Sequence, residues 1–214
     1  MEELHIILDA GHGGLNAEGK YTTCLNWDPS NSKTWKKMWV HEGIPFYEGV
    51  FNRQIVNRLA AKLDQFYSDG ISYTNLNVYL GDEEADHSLD DRTEAANKIY
   101  KDFPNAIYVS IHGNAFNETA YGFEVFSSPG ATTSDKLAEL YNKALKNILP
   151  SAKARGVKEA NFKVLRDTKM PAVLTENGFF DNPKNAELMK SNEGQEAIAQ
   201  IHLNMILSFK ELYL

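Results

Sequence analysis

Apolar residues along the chain follow two rhythms. Residues 4–8 hold Leu4, Ile6, Ile7 and Leu8 in a nearly continuous run, the mark of a buried strand. The runs at 106–111 (AIYVSI) and 172–175 (AVLT) read the same way, with Pro171 suited to the first position of the latter. GFEVF at 122–126 alternates as a half-buried strand, NVYL at 77–80 predicts another, and 162–165 a short one. Between them the spacing turns helical. Residues 50–67 repeat Ile55, Val56, Leu59, Leu63, Phe66 and Tyr67, with Asn, Arg, Lys and Asp on the other face. Residues 89–100 turn Ala95, Ala96 and Ile99 inward and place Arg92 in the first turn. Residues 134–149, 185–190 and 193–213 complete the helices, the last with a stripe of Ile198, Ile201, Met205, Ile206, Phe209 and Leu212. Residues 15–47 follow neither rhythm. Strands interleaved with helices, with no repeat and no linker, predict one α/β domain over 1–214.

Composition narrows the chemistry. The 214 residues suffice for one substantial core, and 43% hydrophobic with 24% charged is ordinary for a globular chain. A net charge of −7 with a single adjacent basic pair, Lys36-Lys37, argues against a nucleic-acid partner. Cys24 is the only cysteine, so a metal must be held by histidines and carboxylates. No apolar stretch reaches transmembrane length, so no membrane insertion is expected. The acidic start MEELHIILDAGH lacks the features of a signal peptide. The expectation is a protein made in the cytoplasm.

Three predicted strands end in a polar residue beside glycine: His12 in DAGHGG, His112 in SIHGN and Glu176 in TENG. In α/β sheets, sites form outside the carboxyl ends of strands. If those ends are neighbours, two imidazoles and a carboxylate share one crevice. Glu48, at the start of the first helix, adds a second carboxylate, although a glutamate there is also simply favourable. Two His and two Glu are the set that zinc hydrolysis needs; the same residues also fit tight turns in a fold without a metal. Among the other histidines, His5 and His202 read as structural, His87 lies in an acidic loop, and His41 lies within 15–47.

The segments DAGHGG (9–14), Glu48 at a helix start, SLDDRTEAAN (88–97), SIHGNAF (110–116), GFEV (122–125) and PAVLTENGFFDNP (171–183) occur in order over nearly the whole chain. Together they resemble the zinc-dependent N-acetylmuramoyl-L-alanine amidases, the amidase-3 group of cell-wall hydrolases. The resemblance implies an α/β fold with a central mostly parallel or mixed sheet of about six strands and helices on both faces. It implies one catalytic Zn2+ held by His12, Glu48 and His112, with Glu176 as the catalytic carboxylate. Arg92 and Asn114 match the family pattern; they and Asp9 either orient the ligands or cap local backbone. Gly113 stands where alanine is more usual, Asn177 where an aliphatic residue is frequent, and 15–47 is longer than in simple members.

The expected activity is hydrolysis of the amide between N-acetylmuramic acid and L-alanine in peptidoglycan. The competing readings are a zinc peptidase cutting within the stem peptide and a silent peptidoglycan-binding module. Segment 15–47 starts three residues after His12 and ends before Glu48, which predicts a lid or insertion near the cleft, with Trp35 or Trp39 as a substrate contact or, in the rival reading, with Trp27, Trp35 and Trp39 forming only a small local core. Without a visible leader, the chain suits a phage lysis enzyme released by a holin, or a catalytic domain excised from a larger secreted protein, and a monomer is favoured.

Overall fold

In the computed structural model, residues 3–24, 37–130 and 132–214 are described. Eight strands are found among them: β1 (Leu4–Ala10), β2 (Met38–His41), β3 (Ile44–Tyr47), β4 (Ile71–Asn75), β5 (Ala106–Asn114), β6 (Phe123–Ser127), β7 (Ala154–Glu159) and β8 (Ala172–Phe179). The helices are α1 (Glu48–Leu63), α2 (Leu76–Tyr79), α3 (Leu89–Asp102), α4 (Thr133–Ile148), α5 (Lys163–Arg166), α6 (Pro183–Lys190) and α7 (Asn192–Tyr213). Six strands form one mixed sheet in the order β4-β1-β5-β8-β6-β7. β4, β1, β5 and β8 run parallel, while β6 meets β8 antiparallel and carries β7 parallel to itself. β2 and β3 form a separate hairpin.

The central strands explain the apolar runs. All seven residues of β1 are buried, because helices cover both faces of the sheet. On one face α1, α4 and α7 bury Phe51, Ile55, Leu59, Leu137, Tyr141, Ile198 and Met205 against it. On the other, α3 and α5 bury Ala96, Ile99, Val164 and Leu165 against Ile7, Tyr108 and Leu174. Capping boxes open α3 at Ser88 and α4 at Thr132, satisfying the first free N–H groups of each helix.

Several expectations are corrected. NVYL is not a strand: Leu76–Tyr79 is the short helix α2, opened by the Asn75 side chain accepting from Asn77 N–H. Val78 and Tyr79, apolar enough to suggest a strand, are 55% and 44% exposed. The edge strand lies earlier, in ISYTN. Residues 163–166 are helical, and the strand in that region is β7, ARGVKE, an irregular edge strand without a buried residue and hence without an apolar signature. Helix α1 stops at Leu63 and continues as a tight 3-10 turn over Asp64–Asp69 that ends at Gly70, leaving Tyr67, assigned to the core stripe, 76% exposed. Leu212 is likewise exposed. Part of 15–47 is regular after all: β2 and β3 pair through Glu42 (φ 50°) and Gly43 (φ 82°), both left-handed, the geometry of a tight two-residue hairpin turn. Residues 25–36, with Trp27 and Trp35, lie outside the described residues.

Candidate metal centre

β1, β5 and β8 are adjacent, so the three strand ends do meet. His112 and Glu176 stand in register on β5 and β8. They lie inside their strands rather than past the ends, because β5 continues to Asn114 and β8 to Phe179. His12 follows β1 with a left-handed backbone (φ 63°), rare for a residue with a Cβ. The preceding Gly11 must be glycine, since a Cβ there would sit 2.0 Å from His112 Cε1. The bare backbone lets the two imidazoles approach to 5.0 Å between centroids, edge to face.

Glu48 comes from the other side, as the first residue of α1. It is fully buried, at the end of a helix whose dipole favours a carboxylate. Its Oε1 lies 3.0 Å from His112 Nδ1 and 3.3 Å from His12 Nε2, and its Oε2 lies 3.3 Å from Lys37 Nζ. One ligand atom from each of His12, Glu48 and His112 can be chosen so that all lie within 4.8 Å of one another. His12 Nε2 and Glu48 Oε2 are buried without a hydrogen-bond partner. Two orphaned buried acceptors beside the His112 imidazole fit a cation, and two imidazoles with one carboxylate fit zinc. Burial holds the His112 imidazole below its ordinary pKa, in the neutral form a ligand needs.

The two carboxylates are driven apart. Burial alone would raise Glu48; the charges of His12 and Lys37 and the hydrogen bond from His112 hold it well below the usual carboxylate range. Glu176 is pushed well above that range, first by burial and then by Glu48 and Glu124, with Lys37 opposing. Its Oε2 is also buried and unpartnered. One carboxylate thus keeps its charge while the other takes up protons, the division that separates a ligand from a general acid/base.

The remaining residues hold the frame. Asp9, fully buried, receives hydrogen bonds from Arg92 Nη1, Tyr108 Oη (2.6 Å) and Ser110 Oγ (2.8 Å). Arg92 donates on to the carbonyls of Ala10 and His12. Asn114 donates to Glu124 Oε1 at 2.9 Å, away from the ligands. Trp39 pairs with Phe46 in the hairpin and packs partly buried on the core; it does not line the cleft. Of the other histidines, His5 meets Ser72 and Thr74, His202 meets Thr175 and the Ile198 carbonyl, and His41 meets the Phe180 carbonyl. His87 lines the cleft with its Nε2 on the Asp82 carbonyl.

Sequence patterning missed four residues. Asn52 and Arg53, assigned to the polar face of α1, are buried. Asn52 donates to the Gly11 carbonyl and Arg53 Nη1 to the His12 carbonyl, pinning the loop that carries His12. A signal existed for Asn52: it lies four residues after Glu48 and therefore on the same helix face. Lys37 comes from the segment without periodicity. Glu124 shares a cross-strand pair with Glu176, visible only once β6 is placed antiparallel to β8. The centre opens into a cleft of about 330 Å³ bounded by His12, His112, Glu176, Leu174 and Phe162.

Comparison with known proteins gives consistent matches. Residues 6–208 match the family model described as N-acetylmuramoyl-L-alanine amidase. The chain is 39% identical over 133 residues to the N-acetylmuramoyl-L-alanine amidase CwlM of Bacillus licheniformis, covering 62% of this chain and 50% of that protein. It is 32% identical over 164 residues to the endolysin of Bacillus phage SPP1, covering 74% of this chain and 56% of that protein. The chain therefore spans about half the length of these curated relatives. The crystal structure of N-acetylmuramoyl-L-alanine amidase from Clostridium difficile 630 superposes with a TM-score of 0.75 at 29% identity, covering 100% of this chain and 99% of that one.

Proposed function

The chain belongs to the N-acetylmuramoyl-L-alanine amidase family, and on that premise we propose that it hydrolyses the amide joining the lactyl group of N-acetylmuramic acid to L-alanine in peptidoglycan. The observation that carries the proposal is the convergence of His12, Glu48 and His112 beside the raised carboxyl of Glu176.

His12, Glu48 and His112 would hold a zinc ion. When bound, zinc supplies Lewis acidity, polarising a carbonyl and lowering the pKa of water. Glu176 handles the protons. Its buried carboxylate takes one from the attacking water; as the C–N bond breaks, it delivers that proton to the alanine nitrogen, which leaves as an amine. Glu48, held anionic, does not compete for that proton. Asp9 and Arg92 position the His12 backbone, and Asn114 acts one step away through Glu124. Segment 15–47 supplies Lys37 to the centre; of its tryptophans we assign substrate contact to Trp35 rather than to Trp39, which packs on the core. The chain works on wall peptidoglycan as a phage-type lysis enzyme or a remodelling hydrolase, a role supported by its likeness to an endolysin. No helix among the described residues is long and apolar enough to cross a membrane.

The test is mass spectrometry of peptidoglycan digested by the zinc-loaded protein. New alanine amino termini on released stem peptides, with the glycan strands left intact, are expected. New reducing ends, or new termini within the stem peptide, refute the assignment.

A further inference from the structure

The sheet face that presents His112 and Glu176 continues across two more strands. Glu176 on β8 pairs with Glu124 on β6, and directly paired residues point to the same face. Beside Glu124, the β6–β7 register shifts between Phe123 and Val125. Gly156, left-handed at φ 87°, lies in that irregularity. The irregularity brings two cations of β7 onto one carboxylate: Arg155 Nε donates to Glu124 Oε2 at 2.6 Å, and Lys158 Nζ reaches the same oxygen. His112, Glu176, Glu124 and Arg155 thus follow one another on four neighbouring strands.

One cation would compensate Glu124; there are two, in a chain whose net charge is −7. Glu124 is 5% exposed, whereas the Arg155 and Lys158 side chains are 27% and 37% exposed. Both are braced: the Arg155 guanidinium lies 4.9 Å from the Phe179 ring centroid, and Lys158 Nζ lies 5.7 Å from that of Phe126. Arg155 uses only Nε toward Glu124, and among the described residues its two terminal nitrogens have no hydrogen-bond partner. A fixed guanidinium with two open N–H-bearing nitrogens is the group that takes a carboxylate side-on.

We propose that Arg155 and Lys158, held by Glu124, form a subsite for the free α-carboxylate of the glutamate that follows L-alanine in the stem peptide. The proposal rests on the amidase reading and specifies which substrates that site prefers. The spacing fits. β7 is two strands from β8, roughly 10 Å at ordinary strand separation. From the scissile amide to the carboxylate of the next residue is about 7 Å of extended chain, and the arginine side chain covers the remainder. The alternative, a pair that only neutralises Glu124, predicts no preference for a charged substrate.

The experiment compares two muramyl dipeptides cleaved by the zinc-loaded protein, N-acetylmuramoyl-L-alanyl-D-isoglutamate and its α-amide D-isoglutamine analogue. They match in size and differ by one charge. The parent is expected to show a higher kcat/KM on the carboxylate form by roughly 10-fold or more, the worth of a charge-assisted hydrogen bond. In Arg155→Gln and in Lys158→Met the ratio of the two kcat/KM values should fall toward one, and Arg155→Lys should retain part of it. Thermal unfolding identifies the variants that fold like the parent; in a variant so folded, a retained ratio overturns the proposal. Equal cleavage of the two substrates by the parent overturns it and leaves the amidase reading standing. Cleavage of neither overturns both.

Discussion

Replacing Arg92 by methionine removes one side of a buried ion pair while keeping most of the volume. The parent pair is nearly inaccessible, with side chains 3% and 1% exposed. Burial alone would raise the Asp9 carboxyl; Arg92 and the hydroxyls of Tyr108 and Ser110 hold it below its ordinary value. Without Arg92 the anion keeps two hydroxyl partners but loses its countercharge. Breaking one side of such a pair costs about 3–5 kcal/mol. At about 2–4 °C per kcal/mol for a chain of this size, the melting temperature should drop by roughly 6–20 °C at neutral pH. The sign of the pH dependence follows from the two pKa values. In the parent, the Asp9 contribution is complete above the unfolded carboxylate pKa of about 3.9 and is lost as pH falls through the lower folded value. In the variant, burial is no longer offset by Arg92 and the folded pKa rises, so the folded state takes up the proton first and the deficit narrows as pH falls into the carboxylate range. The double variant Asp9→Asn/Arg92→Met leaves no buried charge and should lose less than Arg92→Met alone. Arg92 also holds the Ala10 and His12 carbonyls, so zinc affinity, read by competition with a chelator, should weaken roughly 10–100-fold. A melting-temperature loss below about 2 °C, a double variant less stable than the single, or a deficit independent of pH would refute this account of the pair.

The two carboxylates should separate cleanly: Glu176→Gln keeps zinc stoichiometry and loses turnover, whereas Glu48→Ala loses zinc, and reversed phenotypes would invert their roles. Burial brings the His202 imidazole down to about 4 from an unfolded value near 6.5. Its contribution is therefore complete above pH 6.5 and falls by about 3 kcal/mol as pH drops to 4; urea unfolding of His202→Gln should show a shallower acid loss than the parent. Two glycines should respond oppositely to alanine. At Gly49 the new Cβ lies 1.8 Å from the Gly13 carbonyl oxygen, backbone against backbone, and should cost about 1–3 kcal/mol or more. At Gly113 its one close contact is the flexible end of Met189 at 2.8 Å, with Phe180 and Phe51 at an ordinary 3.5 Å; thermal unfolding should place that variant within about 1 kcal/mol of the parent.

The fold class and the four residues of the centre were legible because each carries a local signature. Strands buried on both faces are written as unbroken apolar runs, and β1, β5 and β8 are of that kind. A histidine or glutamate beside glycine at the end of such a run stands out against it. Edge strands carry no such mark: β7 has no buried residue, and β4 buries only Ile71. Apolar residues alone misplaced a strand onto α2, where a single Asn75 cap decided for helix.

Sequence by itself determined the alternation of strands and helices, the core stripes and the residue types available to a metal, since these depend on periodicity and side-chain chemistry along the chain. Tertiary structure decided which charges face each other. Lys37 reaches Glu48, Arg92 reaches Asp9 across 83 positions of sequence, and Glu124 stands opposite Glu176. Charges so distant in sequence interact only when the sheet order and the antiparallel turn of β6 bring them within a few ångströms out of water. There a countercharge sets which carboxylate stays ionised and which carries the proton.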